Sequence, residues 1–176
     1  MQFSSSKHLN CVIRILSIIF AFMKILMVCL GNICRSPLAE GILKHKAKEK
    51  GLHWIVESAG TGNYHMGEAP HRLSQHVAKL NGVDICSQKA RLYKKEMMQE
   101  YDKIYVMDNQ NYNDVKRISG NLWDASKVDL ILNEVHPGED RDVEDPWFDN
   151  TEPGFLKTYH EISEACDKII KKFREL

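Results

Sequence analysis

The sequence lacks a net charge of either sign, because its 24 lysine and arginine residues balance its 24 aspartate and glutamate residues. Proteins that bind nucleic acids or anionic membranes through a broad electrostatic field usually carry an excess of basic residues. The balance therefore indicates that neither a nucleic acid nor a membrane is a partner. Any site for an anion must be local, formed by one loop and a few side chains.

Cysteine pairs with metal-binding spacing are also missing. The five cysteines are Cys11, Cys29, Cys34, Cys86 and Cys166, and no two of them form a Cys-x-x-Cys motif. Their odd number in a chain of 176 residues argues against a disulfide framework, and their spacing argues against a zinc finger or ribbon. We therefore expect a reduced protein of the cytoplasm.

No apolar run is long enough to cross a membrane, because Arg14 and Lys24 interrupt the best candidate. Residues 1–22 combine a basic start with a short apolar stretch, as a signal peptide does, but no convincing small-x-small cleavage site follows. We expect residues 1–22 to be an N-terminal extension that is disordered or lies upstream of a natural start at Met23. A mobile or weakly membrane-associating tail is the alternative. Residues 23–176 then form one domain.

From Met23 onward, strand-like and helix-like segments alternate. Short apolar runs predict strands at 24–30, 54–58, 102–107 and 128–132. Helical patterns predict helices at 37–49, 71–81, 94–100, 109–118 and 154–173. Strands separated by helices indicate an α/β fold with a mainly parallel sheet that is covered on both faces.

The segment that carries chemistry lies between the first strand and the first helix. It reads Cys-Leu-Gly-Asn-Ile-Cys-Arg-Ser-Pro from Cys29 to Pro37. Ligands of an open parallel sheet bind beyond the carboxyl ends of its strands, and a helix N-terminus attracts anions. The loop lacks the Gly-Lys-Ser/Thr of a Walker loop. Its backbone is instead expected to surround phosphate oxygens through Leu30, Gly31, Asn32, Ile33, Cys34 and Arg35.

Cys29 and Arg35 are the candidate catalytic residues of this loop. The helix dipole and Arg35 would favour a thiolate on Cys29, which would face the phosphorus atom. Arg35 offers a planar fork of donors for two phosphate oxygens, and Ser36 could hydrogen-bond the sulfur as it leaves. A bare Cys-x5-Arg spacing also arises by chance. The strand before it and the Ser-Pro helix start after it are what make it specific.

Transfer of phosphate to Cys29 also needs an acid that protonates the departing oxygen. The segment Glu144-Asp145-Pro146-Trp147-Phe148 supplies a carboxyl group, Asp145, beside two aromatic residues. Trp147 and Phe148 are expected to wall a slot for an aromatic ring. Because Asp-Pro alone is only a turn signal, this assignment depends on the Cys29 loop.

Together these motifs resemble the low-molecular-weight protein tyrosine phosphatases. After the 29–37 motif, Glu57-Ser-Ala-Gly-Thr, Tyr105-Val-Met-Asp and Asp145-Pro follow in the family's order, and the likeness covers about residues 23–173. It implies a three-layer sandwich with a central four-stranded parallel sheet flanked by helices. It also implies hydrolysis of phosphotyrosine and other aryl phosphate monoesters through a phosphocysteine, with neither a metal nor another cofactor.

The resemblance carries roles over to individual residues. Cys29 matches the nucleophile, Arg35 the phosphate-binding arginine, and Asp145 the general acid, which later acts as general base. Cys34 matches a neighbouring cysteine that forms a reversible, protective disulfide with the nucleophile.

Supporting residues are implied in the same way. Asn32, Ser36 and Ser58 match a hydrogen-bond network that holds the shape of the loop. Asn81-Gly82 stands where some members place a histidine of that network, and an asparagine there carries no charge.

The expected substrate slot combines two loops. One is the segment 144–148 that contains Asp145, called the acid loop here, and the other is a variable loop. Tyr64 and His65 lie in that variable loop and are expected to influence substrate choice. Trp147 and Phe148 stand where some members carry two tyrosines, which removes those sites of regulatory phosphorylation. Three other histidines lack metal-ligand spacing and are expected at the surface: His71, His76 and His136.

Three other activities stay open. An arsenate reductase would need further redox cysteines, but Cys166 lies on an apolar helix stripe and Cys86 has no evident partner. Related phosphoarginine hydrolases have threonine where Ile33 stands. A non-catalytic phosphopeptide-binding module would not need Asp145.

We expect phosphotyrosine proteins or peptides as partners, and a tyrosine kinase of a polysaccharide-export system is one candidate. We expect the protein to be a monomer or a weak dimer.

Overall fold

The computed structural model describes residues 22–174. The predicted extension therefore lies outside the described residues, apart from Phe22. Within the described range the strands are β1 (Lys24–Cys29), β2 (Ile55–Gly60), β3 (Lys103–Val106) and β4 (Val128–Leu130). The helices are α1 (Arg35–Glu49), α2 (Arg72–Leu80), α3 (Met97–Glu100), α4 (Asn109–Ser119), α5 (Pro146–Asp149) and α6 (Glu152–Arg174).

The four strands form one parallel sheet in the order β2-β1-β3-β4. β1 pairs with β2 from Lys24 to Cys29 and with β3 from Ile25 to Val28, so it is a central strand. Its last five residues are buried, as expected for an apolar strand covered on both faces. The predicted four-stranded parallel sheet is confirmed.

Helices cover both faces of this sheet. Alternate residues of β1 enter two separate cores, Ile25 and Met27 on one face and Leu26 and Val28 on the other. The first core is completed by α1, α2 and α6, and the second by α3 and α4 with the segment around Tyr93. This arrangement confirms the three-layer sandwich. Within residues 22–174, no helix combines the length and the apolar composition that crossing a bilayer requires.

Two segments beside the sheet differ from the sequence-based expectation. β4 ends at Leu130 rather than residue 132, because the chain turns into a 3₁₀ helix at Ile131–Glu134. At the last residue of β2, Gly60 pairs with the chain around Leu92. Gly60 N–H donates to Arg91 O at 2.8 Å, and Tyr93 N–H donates to Gly60 O at 2.7 Å. Sequence patterns did not indicate this pairing, which brings Arg91 next to the Cys29 loop.

Candidate active site

The candidate active site lies where β1 ends and α1 begins. Cys29 is the last residue of β1 and Arg35 the first of α1, so the predicted loop lies at the carboxyl end of a central strand. The N-cap residue of α1 is Cys34, whose thiol is not one of the groups that commonly accept first-turn N–H bonds. Those N–H groups, at the positive end of the helix dipole, suit an anion.

Two groups converge on the sulfur of Cys29. The backbone N–H of Asn32 donates to Sγ over 3.3 Å, and Ser36 Oγ lies 3.1 Å from it. Ser36 Oγ accepts a hydrogen bond from Asn32 Nδ2 at 2.9 Å, so its own hydrogen can be directed at the sulfur. These contacts suit a sulfur that carries negative charge, first as nucleophile and then as leaving group.

A buried hydrogen-bond network holds Asn32, whose φ is +55°. Asn32 Nδ2 donates to Ser36 Oγ and to Ser58 Oγ, each at 2.9 Å, and Asn32 Oδ1 accepts from the backbone N–H of Arg91 at 2.9 Å. Ser58 Oγ donates in turn to Glu40 Oε2 at 2.6 Å. The three predicted supporting residues are therefore in contact, around a backbone conformation that asparagine tolerates.

Sequence reasoning missed Glu40 and Arg91 in this network. Arg91 Nε also donates to the carbonyl oxygen of Ser58 at 2.8 Å. Glu40 is only 6% exposed, and its acidic side chain within the buried first half of α1 was a signal that could have revealed it. Asn81, which stands where some family members place a histidine of the network, lies at the end of α2, where Nδ2 donates to the carbonyl oxygen of Val77. Glu40 and Arg91 contact the network at its outer positions.

Arg35 is 3% exposed and lies between two carboxylates. Nη1 donates to Asp108 Oδ2 at 2.7 Å and to the carbonyl oxygen of Val143 at 3.0 Å, and Nη2 donates to Asp145 Oδ2 at 2.7 Å. Burial opposes the charged guanidinium, but interactions with Cys29, Asp145 and Asp108 outweigh it and raise the pKa of Arg35. Within residues 22–174 its Nε is buried and has no hydrogen-bond partner, so one donor of the guanidinium is unsatisfied.

Asp108 is a third residue whose role the sequence did not indicate. It is the N-cap of α4, where Oδ1 accepts from the backbone N–H of Asn111 at 2.6 Å while Oδ2 accepts from Arg35. Its motif contributed to the family resemblance, but no local pattern links it to a residue 73 positions away. The carboxylate of Asp108 fixes Nη1 of the guanidinium, while Nη2 pairs with Asp145.

Asp145 approaches the loop from the C-terminal part of the chain. It is the N-cap of α5, where Oδ1 accepts from the backbone N–H of Trp147 at 3.1 Å and Pro146 is the first helical residue. Its Oδ2 accepts from Arg35 Nη2. The predicted acid therefore touches the predicted phosphate-binding arginine.

A pocket of about 320 Å³ joins these parts. It contains the predicted nucleophile, arginine and acid, together with all four predicted slot residues. One residue of the predicted phosphate-binding loop, Asn32, is not among the pocket-lining residues. It belongs to the buried hydrogen-bond network described above. The lining residues are Cys29, Leu30, Gly31, Ile33, Cys34, Arg35, Tyr64, His65, Asp145, Trp147 and Phe148.

The rim of this pocket is aromatic. Phe148 is 86% exposed, Tyr64 72% and Trp147 46%. The ring of His65 lies 5.7 Å from that of Trp147, and its Nδ1 lies 3.0 Å from Glu68 Oε2. An apolar mouth over a loop suited to anions fits a ligand with an aromatic body and a phosphate end.

His71 is not the simple surface residue that the sequence suggested. Its ring is partly buried and stacks on Phe155 of α6, with an edge contact to Trp147. His76, one turn further along α2, does lie at the surface, where its side chain is 49% exposed and 3.5 Å from Glu152. The difference arises because His71 precedes α2 at the side of the acid loop.

The other cysteines within residues 22–174 differ in how exposed they are and in what surrounds them. Cys34 lines the pocket. Burial is the main cause that raises the pKa of its thiol, and the nearby Cys29 and Asp145 raise it further. Cys166 is fully buried in α6, whereas Cys86 is exposed and lines a different surface pocket. Residues 22–174 contain no group of three or more His, Cys, Asp or Glu side chains arranged to hold a metal ion.

Known proteins resemble this chain in both sequence and fold. Residues 24–176 match the family described as low molecular weight phosphotyrosine protein phosphatase. The low molecular weight protein-tyrosine-phosphatase PtpA of Staphylococcus aureus is 36% identical over 145 residues, which are 81% of this chain and 88% of PtpA.

Two solved structures extend the comparison. The Drosophila arginine phosphatase DARP superposes with a TM-score of 0.80 at 32% identity, covering 86% of this chain and 98% of DARP. Vibrio vulnificus Wzb in complex with benzylphosphonate superposes with a TM-score of 0.76 at 28% identity, covering 86% of this chain and 99% of Wzb. The chain therefore belongs to the low molecular weight protein tyrosine phosphatase family, and it is an enzyme of the hydrolase class.

Proposed function

We propose that this protein hydrolyses phosphotyrosine and other aryl phosphate monoesters through a phosphocysteine on Cys29. The observation that carries the proposal is the convergence of Cys29, Arg35 and Asp145 in one pocket with an aromatic rim. A phosphate group suits the floor of that pocket, and a phenol ring suits its walls.

In the first step, the sulfur of Cys29 attacks phosphorus, and the bond from phosphorus to the phenol oxygen breaks. The backbone amides of the loop and the guanidinium of Arg35, including its unpaired Nε, stabilise the charge on the non-bridging oxygens. Asp145 donates a proton to the departing oxygen. This requires that the phosphate replace Asp145 on Arg35 Nη2, which turns the carboxyl group toward the leaving group.

In the second step, Asp145 takes a proton from water, the resulting hydroxide attacks phosphorus, and the sulfur–phosphorus bond breaks. Ser36 Oγ, 3.1 Å from the sulfur, stabilises the thiolate that leaves. Because Asn32 holds both this hydroxyl group and the loop backbone, the network acts by keeping the donors in place.

The aromatic rim supports phosphotyrosine as the substrate. Tyr64, His65, Trp147 and Phe148 would contact the phenol ring and its neighbouring peptide residues. Ile33, which is 6% exposed and lines the same pocket, offers no polar side chain to a phosphoarginine guanidinium. Phosphotyrosine proteins, including a tyrosine kinase of a polysaccharide-export system, remain our proposed partners, for a cytoplasmic monomer or weak dimer.

The surroundings of the cysteines support redox protection rather than arsenate reduction. Cys166 is fully buried and Cys86 lies outside the active-site pocket, so neither is placed to carry an oxidation onward from Cys29. Cys34 lies in the same pocket as Cys29. Once an oxidant has converted Cys29 to a sulfenic acid, attack by Cys34 would form the disulfide and release water.

The test is hydrolysis of aryl phosphates in the presence of a metal chelator. Cys29→Ser is expected to abolish turnover because it removes the nucleophile. Asp145→Asn is expected to lower kcat/KM for phenyl phosphate by about 10²- to 10⁴-fold, and to affect the better leaving group of 4-nitrophenyl phosphate far less.

Cys86→Ser, outside the pocket, is the matched control and should keep wild-type rates. Wild-type turnover by Cys29→Ser would overturn the mechanism. Faster hydrolysis of phosphoarginine, or faster reduction of arsenate, than hydrolysis of phosphotyrosine peptides would reassign the substrate.

A further inference from the structure

His71 joins three parts of the molecule. Its backbone N–H donates to the carbonyl oxygen of Ile33, in the phosphate-binding loop, at 2.7 Å. Its ring stacks on Phe155 of α6 with centroids 4.9 Å apart and an interplanar angle of 14°. The same ring meets Trp147 edge-on, at 5.5 Å and 70°. Both are favourable aromatic geometries.

Trp147 lies between two imidazole rings, His65 at 5.7 Å and His71 at 5.5 Å. Its backbone N–H donates to Asp145 Oδ1 at 3.1 Å. Because α5 has only four residues, a shift of the indole ring shifts this backbone and the carboxyl group attached to it. Contacts to Trp147 are therefore linked to Asp145 through this hydrogen bond and the short backbone between them.

The two imidazoles are not equally fixed. His65 lies in the pocket rim and pairs with an exposed carboxylate, Glu68. His71 is held at its backbone by the loop and at its ring by Phe155, which is fully buried. His71 is thus the contact of Trp147 that is anchored to both the loop and α6.

The ring of His71 contacts its neighbours as a neutral aromatic group. Nδ1 accepts from the backbone N–H of Leu73 at 3.4 Å, which indicates that the proton of the neutral ring is on Nε2. Burial, assisted by the charge of Arg72, lowers the pKa of His71. The ring therefore packs between Phe155 and Trp147 without a charge at neutral pH.

We propose that His71 is a positioning residue, whose ring, braced by Phe155, holds Trp147 and thereby sets the carboxyl group of Asp145 for proton transfer. This role rests on the proposed function, in which Asp145 is the general acid. It assigns His71 a task in catalysis beyond starting helix α2.

Two substitutions separate the task of the ring from the task of the cap. His71→Asn keeps a side chain that can accept from the Leu73 N–H but removes the aromatic surface. His71→Phe keeps the aromatic surface but removes the acceptor. Both preserve the backbone N–H that bonds to Ile33. His76→Asn, on the exposed side of α2, is the matched surface control.

The measurement is kcat/KM for phenyl phosphate and for 4-nitrophenyl phosphate. We expect His71→Asn to lower the phenyl phosphate value by about 10- to 100-fold through misplacement of the acid, and to change the 4-nitrophenyl phosphate value much less. His71→Phe should restore most of the lost rate, although it lacks the cap, and His76→Asn should match the wild type. Loss of rate in His71→Phe with full rate in His71→Asn would overturn the proposal.

A double-mutant cycle links the effect to the acid. In an Asp145→Asn background, His71→Asn should cause no further loss with phenyl phosphate. An equal loss in both backgrounds would show a general structural effect and overturn the positioning role. If Asp145→Asn itself leaves phenyl phosphate turnover unchanged, the proposed acid fails instead, which is a separate outcome.

Discussion

Asn32 shows how much of the site depends on a single side chain. It is 2% exposed, makes three side-chain hydrogen bonds to Ser36, Ser58 and Arg91, and offers its backbone N–H to the sulfur of Cys29. Its φ of +55° turns the loop so that this N–H reaches the sulfur. The side chain and the backbone conformation therefore serve the same geometry.

A pair of substitutions at Asn32 separates these two contributions. Asn32→Ala should lower the free energy of unfolding by about 2–4 kcal/mol, because it leaves buried partners unsatisfied and strains a left-handed backbone. Asn32→Gly loses the same hydrogen bonds without that strain, so it should be about 1 kcal/mol more stable than Asn32→Ala. Urea denaturation measures both values. Equal stability of the two variants would contradict the backbone contribution.

The sequence and the family resemblance located the groups that we propose act on phosphate and part of the network that holds them, but not Asp108, Glu40 or His71. Cys29 and Arg35 share one short loop, whose strand before and helix after make it recognisable. Asp108 and Glu40 are single carboxylates whose partners lie 73 and 18 positions away. His71 gains its contacts only when α6 and the acid loop pack beside it. Such pairings are set by tertiary packing and leave no local period in the sequence.

At the scale of secondary-structure elements, α1 depends on the absence of one side chain. Gly41 lies in the buried half of this helix, against the connection that follows α2. A Cβ added there would clash with Ile85 Cγ2 and lie 3.1 Å from Val83 Cγ1. Because Ile85 is 1% exposed, it has little room to move away.

Gly41→Ala should therefore destabilise the protein, although the same change in an exposed helix is favourable by roughly 1 kcal/mol. We expect a loss of about 1–3 kcal/mol, which is typical of overpacking, in chemical denaturation. Ile85→Ala should remove the clash, so that Gly41→Ala costs less in the double variant than alone. A stabilising effect of Gly41→Ala would contradict this packing.

At the scale of the whole molecule, the pocket lining that residues 22–174 provide comes from positions 29–148. Phe22, the first described residue, stacks on His53 at 5.5 Å, away from the pocket lining. Residues 23–176 are therefore our proposed phosphatase domain.

A protein that begins at Met23 should keep the kcat/KM of the full chain for 4-nitrophenyl phosphate. Its thermal midpoint should change only by the small contribution of the Phe22–His53 contact. Thermal scans and initial rates of the two proteins provide the comparison, with His53→Ala in the full chain as the control for that contact. A large loss of activity in the shorter protein would show that the boundary is misplaced.

The contacts of Arg35 also have a consequence during synthesis on the ribosome. Its carboxylate partners are Asp108 and Asp145, which follow it by 73 and 110 positions. At typical translation speeds, roughly 5–20 s separate the appearance of Arg35 from that of Asp145. The nascent chain therefore carries Cys29 and Arg35 long before Asp145, the proposed acid, is synthesised, and under the proposed mechanism the enzyme becomes competent only after Asp145 has been translated.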